Sequence, residues 1–250
     1  NADSYISEFW TPDDYYRRVI ATADEKRRDL RFNLGRLSQA STMLELRDQP
    51  AAREVPASFT RSGWNEEISE SLGNIDAHLD RDAWLLPSHM MDQKAILKTE
   101  LLNLYAEDYI RHWQLFLSSV VLVEPSDMNS ARALLRNLKS DEFPYLQLLR
   151  QADENLTLGQ NGDVQDPEVL NTLNRITDSF AALHAFQKNQ KHGDENGPQE
   201  VVLEMVQAMV EKLEEQSQGK AAQQNAAAFT RAVIDDGIAD ESVIGEYMGF

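Results

Sequence analysis

Asp108 and His112 are the two residues of this chain whose types and spacing suggest chemistry. They lie four residues apart in the stretch LYAEDYIRHWQLFL, residues 104–117, and a helix would place them one turn apart on the same side. A carboxylate in that position can orient an imidazole for proton transfer, or both side chains can bind one metal ion. An acid/base or metal-dependent enzyme centred on this pair is therefore one hypothesis.

The residues around the pair favour a packing role instead. At about 100° per residue, aromatic side chains occupy one face of this helix, leucines lie beside it, and only a narrow strip is polar. A helix with so much apolar surface is surrounded by other helices. We therefore expect Asp108 and His112 to be buried or half-buried and to form hydrogen bonds with neighbouring helix ends or with indole and phenol groups.

The sequence contains none of the motifs that would identify an enzyme or a metal site. The zinc motif H-E-x-x-H, the phosphate-binding and dinucleotide-binding glycine patterns and G-x-S-x-G do not occur. There are no cysteines, which excludes disulfides, thiolate ligands and a cysteine nucleophile. We predict a protein that is not an enzyme, with no catalytic residues, no cofactor and no bound metal.

The charge of the chain excludes several classes of partner. Its 24 Lys and Arg residues stand against 42 Asp and Glu residues, for a formal net charge of −18, which argues against nucleic acid and anionic membranes as partners.

No apolar run approaches the roughly 18 residues of a membrane span, and no signal peptide is present, so we expect a soluble piece of a longer protein. An acidic module that binds a basic secreted substrate stays an alternative.

Local signals predict a chain made almost entirely of helices. Thr11-Pro12, Asp166-Pro167 and Gly197-Pro198 are typical helix starts, and the helix that carries the opening stretch should run from about residue 90 to 121. Another helix should begin near Ser62. Its predicted apolar stripe comprises Trp64, Ile68, Leu72, Ile75 and Leu79.

Two short helices, at about 131–138 and 145–149, and two further apolar stripes, at 170–186 and 202–213, complete the pattern. The only strand-like runs are REVPASF, residues 53–59, and VVLV, residues 120–123. We assign VVLV to the end of a helix. The predicted fold class is all-α: a multi-helix bundle with long amphipathic helices. We expect two packed subdomains, 1–158 and 166–250, although one continuous unit fits the pattern equally well.

Several segments, in order, resemble the IcmF/TssM family of secretion-system proteins. VPASFTRSGW, residues 55–64, is similar to the family's pattern of proline, aromatic, threonine, two residues, glycine and aromatic, and the Trp84 segment resembles the W-V-L that follows. Residues 105–117 match Y-x-x-D-Y-[IL]-x-x-W-x-x-[FL]-L, a pattern in which His112 has no motif position. The matching positions are Pro56, Phe59, Thr60, Gly63, Trp64, Trp84, Tyr105, Asp108, Tyr109, Trp113, Phe116 and Leu117.

The resemblance implies a scaffold role in a type VI secretion membrane complex. It implies the helical, periplasmic part of an inner-membrane-anchored protein that associates with itself and with a TssL-like inner-membrane protein. A TssJ-like outer-membrane lipoprotein would be a further partner, contacted through a more C-terminal region. The related IcmF component of type IVB secretion is the alternative within this resemblance.

Overall fold

The protein is described by a computed structural model at residues 11–37, 43–47, 53–81, 83–84, 93–123, 130, 144–159 and 164–190. These residues are mostly α-helical, which confirms the predicted fold class. The chain forms two compact units, each made of segments that are distant in sequence. The predicted boundary at 159–166 stays a prediction, because residues 191–250 lie outside the described part of the chain.

The first unit comprises Asn1–Asn33, Gln49–Ser119 and Glu154–Phe180. Its long helix, Lys94–Ser119, has several other elements packed against it. The elements are α1 (Pro12–Lys26), a 3-10 turn (Arg28–Leu30), a second 3-10 turn (Ala57–Phe59), α2 (Arg61–Gly63), a π-helix (Trp64–Gly73), α3 (Ile75–Arg81), α4 (Lys94–Ser119) and α6 (Pro167–Asp178). Helices α1, α3 and α6 pack against α4, and the π-helix contacts it through Trp64.

The second unit comprises Leu34–Asp48, Val120–Asp153 and Ala181–Phe250. Strand β1 (Leu44–Leu46) pairs with β2 (Val120–Leu122) in a two-stranded antiparallel sheet, with Glu45 opposite Val121. The unit also contains most of α5 (Pro144–Leu156), whose last turn belongs to the first unit, and α7 (Ala181–Gln190).

The assignment of VVLV to the end of a helix is wrong. Helix α4 ends at Ser119, whose hydroxyl donates to the carbonyl of Phe116 at 2.7 Å, and the next three residues form β2. Apolar and β-branched residues fit a pleated strand well when another strand is available to pair with them. Within REVPASF, Val55 forms an isolated bridge with Phe32, and the last three residues form the 3-10 turn Ala57–Phe59.

Two of the predicted helix starts are confirmed. Thr11 and Asp14 form a reciprocal capping box at the start of α1, and Pro12 occupies the first helical position. The carboxylate of Asp166 accepts from the backbone amides of Glu168 and Val169 at the start of α6. The third start, Gly197-Pro198, and the predicted helices at 131–138 and 202–213 lie outside the described residues.

The predicted apolar stripe from Trp64 to Leu79 is confirmed, since all five of its side chains are buried. The helix begins at Arg61, close to the predicted start near Ser62, with Thr60 as its N-cap. It differs from the expected one in that it adopts π-type hydrogen bonding from Trp64 and breaks at Asn74. Residues four apart stay on one face in either kind of helix, so the stripe alone does not distinguish them.

The other helices differ from the predictions in length. The helix expected at 145–149 extends over thirteen residues as α5, and the stripe at 170–186 lies on α6 and α7, which are separated near Ser179. The stripe residues Leu173, Ile176, Phe180, Leu183 and Phe186 are buried, and Leu170 is half-buried.

Candidate functional site

Most of the sequence motif lies on and around one buried turn, residues 56–64, which we call the motif turn. The carbonyl of Pro56 accepts from the amide of Phe59 at 3.0 Å and begins the 3-10 segment. The hydroxyl of Thr60 donates to the carbonyl of Ala57 at 2.8 Å and accepts from the amide of Gly63 at 3.0 Å. Thr60 therefore ends the 3-10 segment and caps the helix that follows.

Gly63 fits into the motif turn because it has no side chain. A Cβ atom at this position would lie 1.7 Å from the carbonyl oxygen of Ala57 and 3.1 Å from the Thr60 hydroxyl. Its backbone angles, φ −62° and ψ −40°, are ordinary helical values. The glycine is therefore required by close packing of backbone on backbone, and not by an unusual conformation.

Helix α4 holds the motif turn and its surroundings through three side-chain donors. The hydroxyl of Tyr105 donates to the carbonyl of Ser58 at 3.0 Å, and the indole nitrogen of Trp113 donates to the carbonyl of Phe59 at 2.8 Å. Between them, Tyr109 donates to the carbonyl of Asn155 at 2.7 Å. Burial raises the pKa of the Tyr105 and Tyr109 hydroxyls, so both stay protonated and act as donors.

Two residues with no predicted role accept from the amides of the motif turn. The carboxylate of Asp24 on α1 accepts from the amide of Ser58 at 2.8 Å. The side-chain oxygen of Asn155, in the last turn of α5, accepts from the amide of Arg61 at 3.1 Å. No local pattern in the sequence identifies either residue as a partner of the turn.

Aromatic rings fill the space between α4 and the motif turn. The ring of Phe59 lies 5.9 Å from that of Tyr105 and 6.2 Å, edge-on, from that of Tyr109. Trp64 packs against Tyr105 at 5.3 Å. Such tilted and edge-on pairs add stabilisation beyond the buried area, so the polar contacts lie inside a densely packed apolar cluster.

Asp108 takes part in a hydrogen-bonded link between α4 and α1. Its carboxylate accepts from the hydroxyl of Tyr16 at 3.0 Å and from Arg111 at 2.5 Å. Burial, together with the Asp108 charge, raises the pKa of the Tyr16 hydroxyl. The expectation that Asp108 is half-buried and bonded to a phenol is confirmed.

His112 makes a different contact from the one that we expected. Its ring stacks on Phe59, with centroids 4.5 Å apart and planes 18° apart, and its buried Nδ1 has no hydrogen-bond partner. Nδ1 therefore does not make the hydrogen bond that we expected of His112. No hydrogen bond joins His112 to Asp108 in the described chain, whereas Asp108 is bonded to Tyr16 and Arg111.

The remaining motif positions have varied surroundings. Phe116 is fully buried against Phe32, with ring centroids 5.4 Å apart, and Pro56 and Leu117 are half-buried. Trp84 is 81 % exposed, so it takes no part in the cluster around the motif turn. Within the described segments, no group of three potential metal ligands comes together.

Replacing Asp108 with alanine is expected to lower the free energy of unfolding by about 1 to 3 kcal/mol, because the buried Tyr16 hydroxyl loses its acceptor. Urea denaturation of Asp108→Ala, Tyr16→Phe and the double variant would measure the effect and the coupling. We expect the double variant to lose little more than either single one. Unchanged stability in Asp108→Ala would contradict the assigned role.

His112 is expected to make the fold less stable as the pH falls. Burial, and then the Arg111 charge, lower the pKa of His112 in the folded protein below its usual 6.5. The unfolded chain therefore binds the proton more readily, so stability falls as the pH drops through about 6.5 and levels off below the folded pKa. Urea midpoints at about pH 7.5 and pH 5.5 would measure the decrease.

Two substitutions separate titration from stacking at this position. His112→Phe keeps a ring against Phe59 and should lose less stability between the two pH values than the unaltered protein. His112→Asn removes the ring as well, so it should be less stable at both pH values while showing the same reduced slope. Equal losses in His112→Phe and the unaltered protein would contradict the assignment to His112.

The fold and this site together define a helical module whose motif residues organise a buried turn. A family model described as "IcmF-related: Intracellular multiplication and human macrophage-killing" matches residues 2–157, and the chain belongs to this family. Membership in this family indicates a component of a type VI or type IVB secretion system. No curated protein and no solved structure was found to match. Among the described helices, none combines the length and apolarity that crossing a membrane requires.

Proposed function

We propose that the chain is a non-enzymatic scaffold module in the periplasmic part of a type VI secretion membrane complex. The observation that carries this proposal is the use of the motif's polar atoms. Tyr105 and Trp113 bond to the backbone of the motif turn, Tyr109 bonds to Asn155, and Asp108 bonds to Tyr16. Side chains engaged in this way stabilise a shape, and Asp108 is bonded to Tyr16 and Arg111 instead of orienting His112 for proton transfer.

The dimensions of α4 suit a spacer. Its 26 residues extend over about 39 Å at 1.5 Å per residue, and α1, α3 and α6 pack along it. A helix supported by several others transmits position over its length, as a module between two membranes requires. In this proposal the chain associates with itself and with a TssL-like inner-membrane protein, and a more C-terminal region contacts a TssJ-like lipoprotein.

A variant of α4 in the full-length protein would distinguish a scaffold from an enzyme. His112→Phe keeps the stack on Phe59 but cannot transfer a proton, so a scaffold should support assembly and secretion at the normal level. Loss of secretion with normal stability and normal co-purification of the membrane partners would instead favour the enzyme centred on Asp108 and His112. Gly73→Ala is a substitution away from that pair. It is the control for effects of mutation that do not depend on Asp108 or His112.

Co-purification from membranes tests the identity of the complex. We expect the full-length protein to retain the TssL-like and TssJ-like partners, and a variant with a loosened motif turn, Trp113→Phe, to retain less of both. Recovery of type IVB components in their place would assign the chain to that system. A full-length protein that stays monomeric and retains no secretion component would refute the scaffold role.

A further inference from the structure

A polar cleft of about 880 Å³ opens in the first unit beside the motif turn. Its walls are the π-helix, the start of α3 and the residues just before α6. A volume of this size is in the range of small-ligand and peptide sites. Polar lining side chains include Arg61, Asn65, Ser69, Asn74, Gln165 and Asp166.

The acids of the cleft are paired with a lysine. Lys98 on α4 bonds to Asp76 at 3.0 Å and to Asp166 at 2.5 Å. Burial acts against the charged form of Asp166, but the hydrogen bonds from Lys98 and from the start of α6 outweigh it and lower the pKa of that carboxyl. These two carboxylates are therefore committed to a structural link, and they do not attract a cation into the cleft.

Arg61 supplies the unmatched charge of the cleft. Its backbone amide is fixed by Asn155, while its half-buried guanidinium has no ion pair or hydrogen bond within the described residues. The other two half-buried arginines of the described chain, Arg27 and Arg31, bond to Glu66 and Glu54. A partly desolvated guanidinium without an anion is unfavourable, and a carboxylate is the group that matches its geometry.

The neutral side chains of the cleft suit a peptide. The amide groups of Asn65, Asn74 and Gln165 can each donate and accept, as the peptide groups of an extended chain require. We propose that the cleft binds a short peptide segment with one carboxylate, which pairs with Arg61 while the side-chain amides bond to the peptide backbone. A strongly acidic segment is excluded, because the net charge of −18 repels it. This proposal stands independently of the scaffold role.

Titration of three blocked tripeptides into the ¹⁵N-labelled protein tests the proposal. N-acetyl-Ala-Ala-Ala carries a terminal carboxylate, N-acetyl-Ala-Glu-Ala-amide carries a side-chain carboxylate, and N-acetyl-Ala-Ala-Ala-amide carries none. We expect saturable shifts of cleft amides with a Kd of about 1 mM for at least one carboxylate peptide, and at least roughly tenfold weaker binding of the uncharged one. Comparison of the two charged peptides identifies the source of the carboxylate.

Two variants test the role of Arg61. Arg61→Gln removes the charge, and Asn65→Asp places a carboxylate four residues along the same helical face, where it can pair with the guanidinium. Both should weaken binding about tenfold, a change of about 1.4 kcal/mol, with an unchanged melting temperature. Arg28→Gln, at an exposed arginine outside the cleft, should bind as the unaltered protein does.

Three results would overturn the proposal. They are no saturable shift with any peptide, equal binding of the charged and uncharged peptides, and unchanged binding in a folded Arg61→Gln protein. None of these results bears on co-purification of the secretion partners, so failure here is distinguishable from failure of the scaffold role.

Discussion

Gly63→Ala is expected to lower the free energy of unfolding by about 3 to 5 kcal/mol, enough to unfold a protein of ordinary stability. The added Cβ would lie 1.7 Å from the carbonyl oxygen of Ala57, a distance that two non-bonded atoms cannot adopt. The strain has no easy release, because partners on α1, α4 and α5 hold the backbone of the motif turn at Ser58, Phe59 and Arg61. Urea denaturation followed by circular dichroism would measure the loss.

Gly73→Ala is the matched control for this substitution. A Cβ at Gly73 would lie 3.4 Å from the Cβ of Ser69, an ordinary contact, and alanine stabilises a helix relative to glycine by about 0.5 to 1 kcal/mol. We therefore expect Gly73→Ala to be neutral or slightly stabilising. If Gly63→Ala were as stable as Gly73→Ala, the backbone contact between Gly63 and Ala57 would not exist in solution.

Trp113→Ala is expected to cost about 3 to 5 kcal/mol. The indole is fully buried, so its removal leaves a large cavity among the rings of Phe32 and Phe116. It also leaves the buried carbonyl of Phe59 without its donor. Trp113→Phe keeps much of the ring volume but loses the donor, so it should cost about 1 to 3 kcal/mol.

Trp84→Ala provides the control of the same residue type. This indole is 81 % exposed, and substitutions at such positions usually change stability by no more than about 0.5 kcal/mol. Thermal or urea denaturation of the variants would rank Trp113→Ala as least stable, followed by Trp113→Phe and then Trp84→Ala. Equal stability of Trp113→Ala and Trp84→Ala would contradict the burial of the Trp113 indole.

The helices of the first unit were predictable where their signals are local. Thr11-Pro12 and Asp166-Pro167 carry their capping groups within a few residues, and both helices begin there. The apolar surface of α4 predicted burial on several sides, because a helix that is apolar around most of its circumference is covered by other secondary-structure elements. Local chemistry and periodicity therefore account for most of the helical architecture.

The sheet and the partners of the motif turn depend on residues far apart in sequence. Strand β2 forms because β1 lies beside it, and nothing in VVLV identifies a strand some 75 residues away as its partner. Asp24 and Asn155 are single polar residues without a periodic pattern. Gly63 has ordinary helical angles, so the reason for a glycine there appears only when the carbonyl of Ala57 is seen beside it.

The contacts of the motif turn also set the order in which the chain can fold. Its four tertiary hydrogen bonds join residues 34, 47, 54 and 94 positions apart, and contacts of such long separation form slowly because distant segments must first meet. During synthesis, residues 56–64 leave the ribosome long before Asn155 does. The amide of Arg61 therefore cannot bond to its acceptor until α5 has been synthesised. The family match ends at residue 157, two residues beyond Asn155, and thus covers every partner that closes the turn.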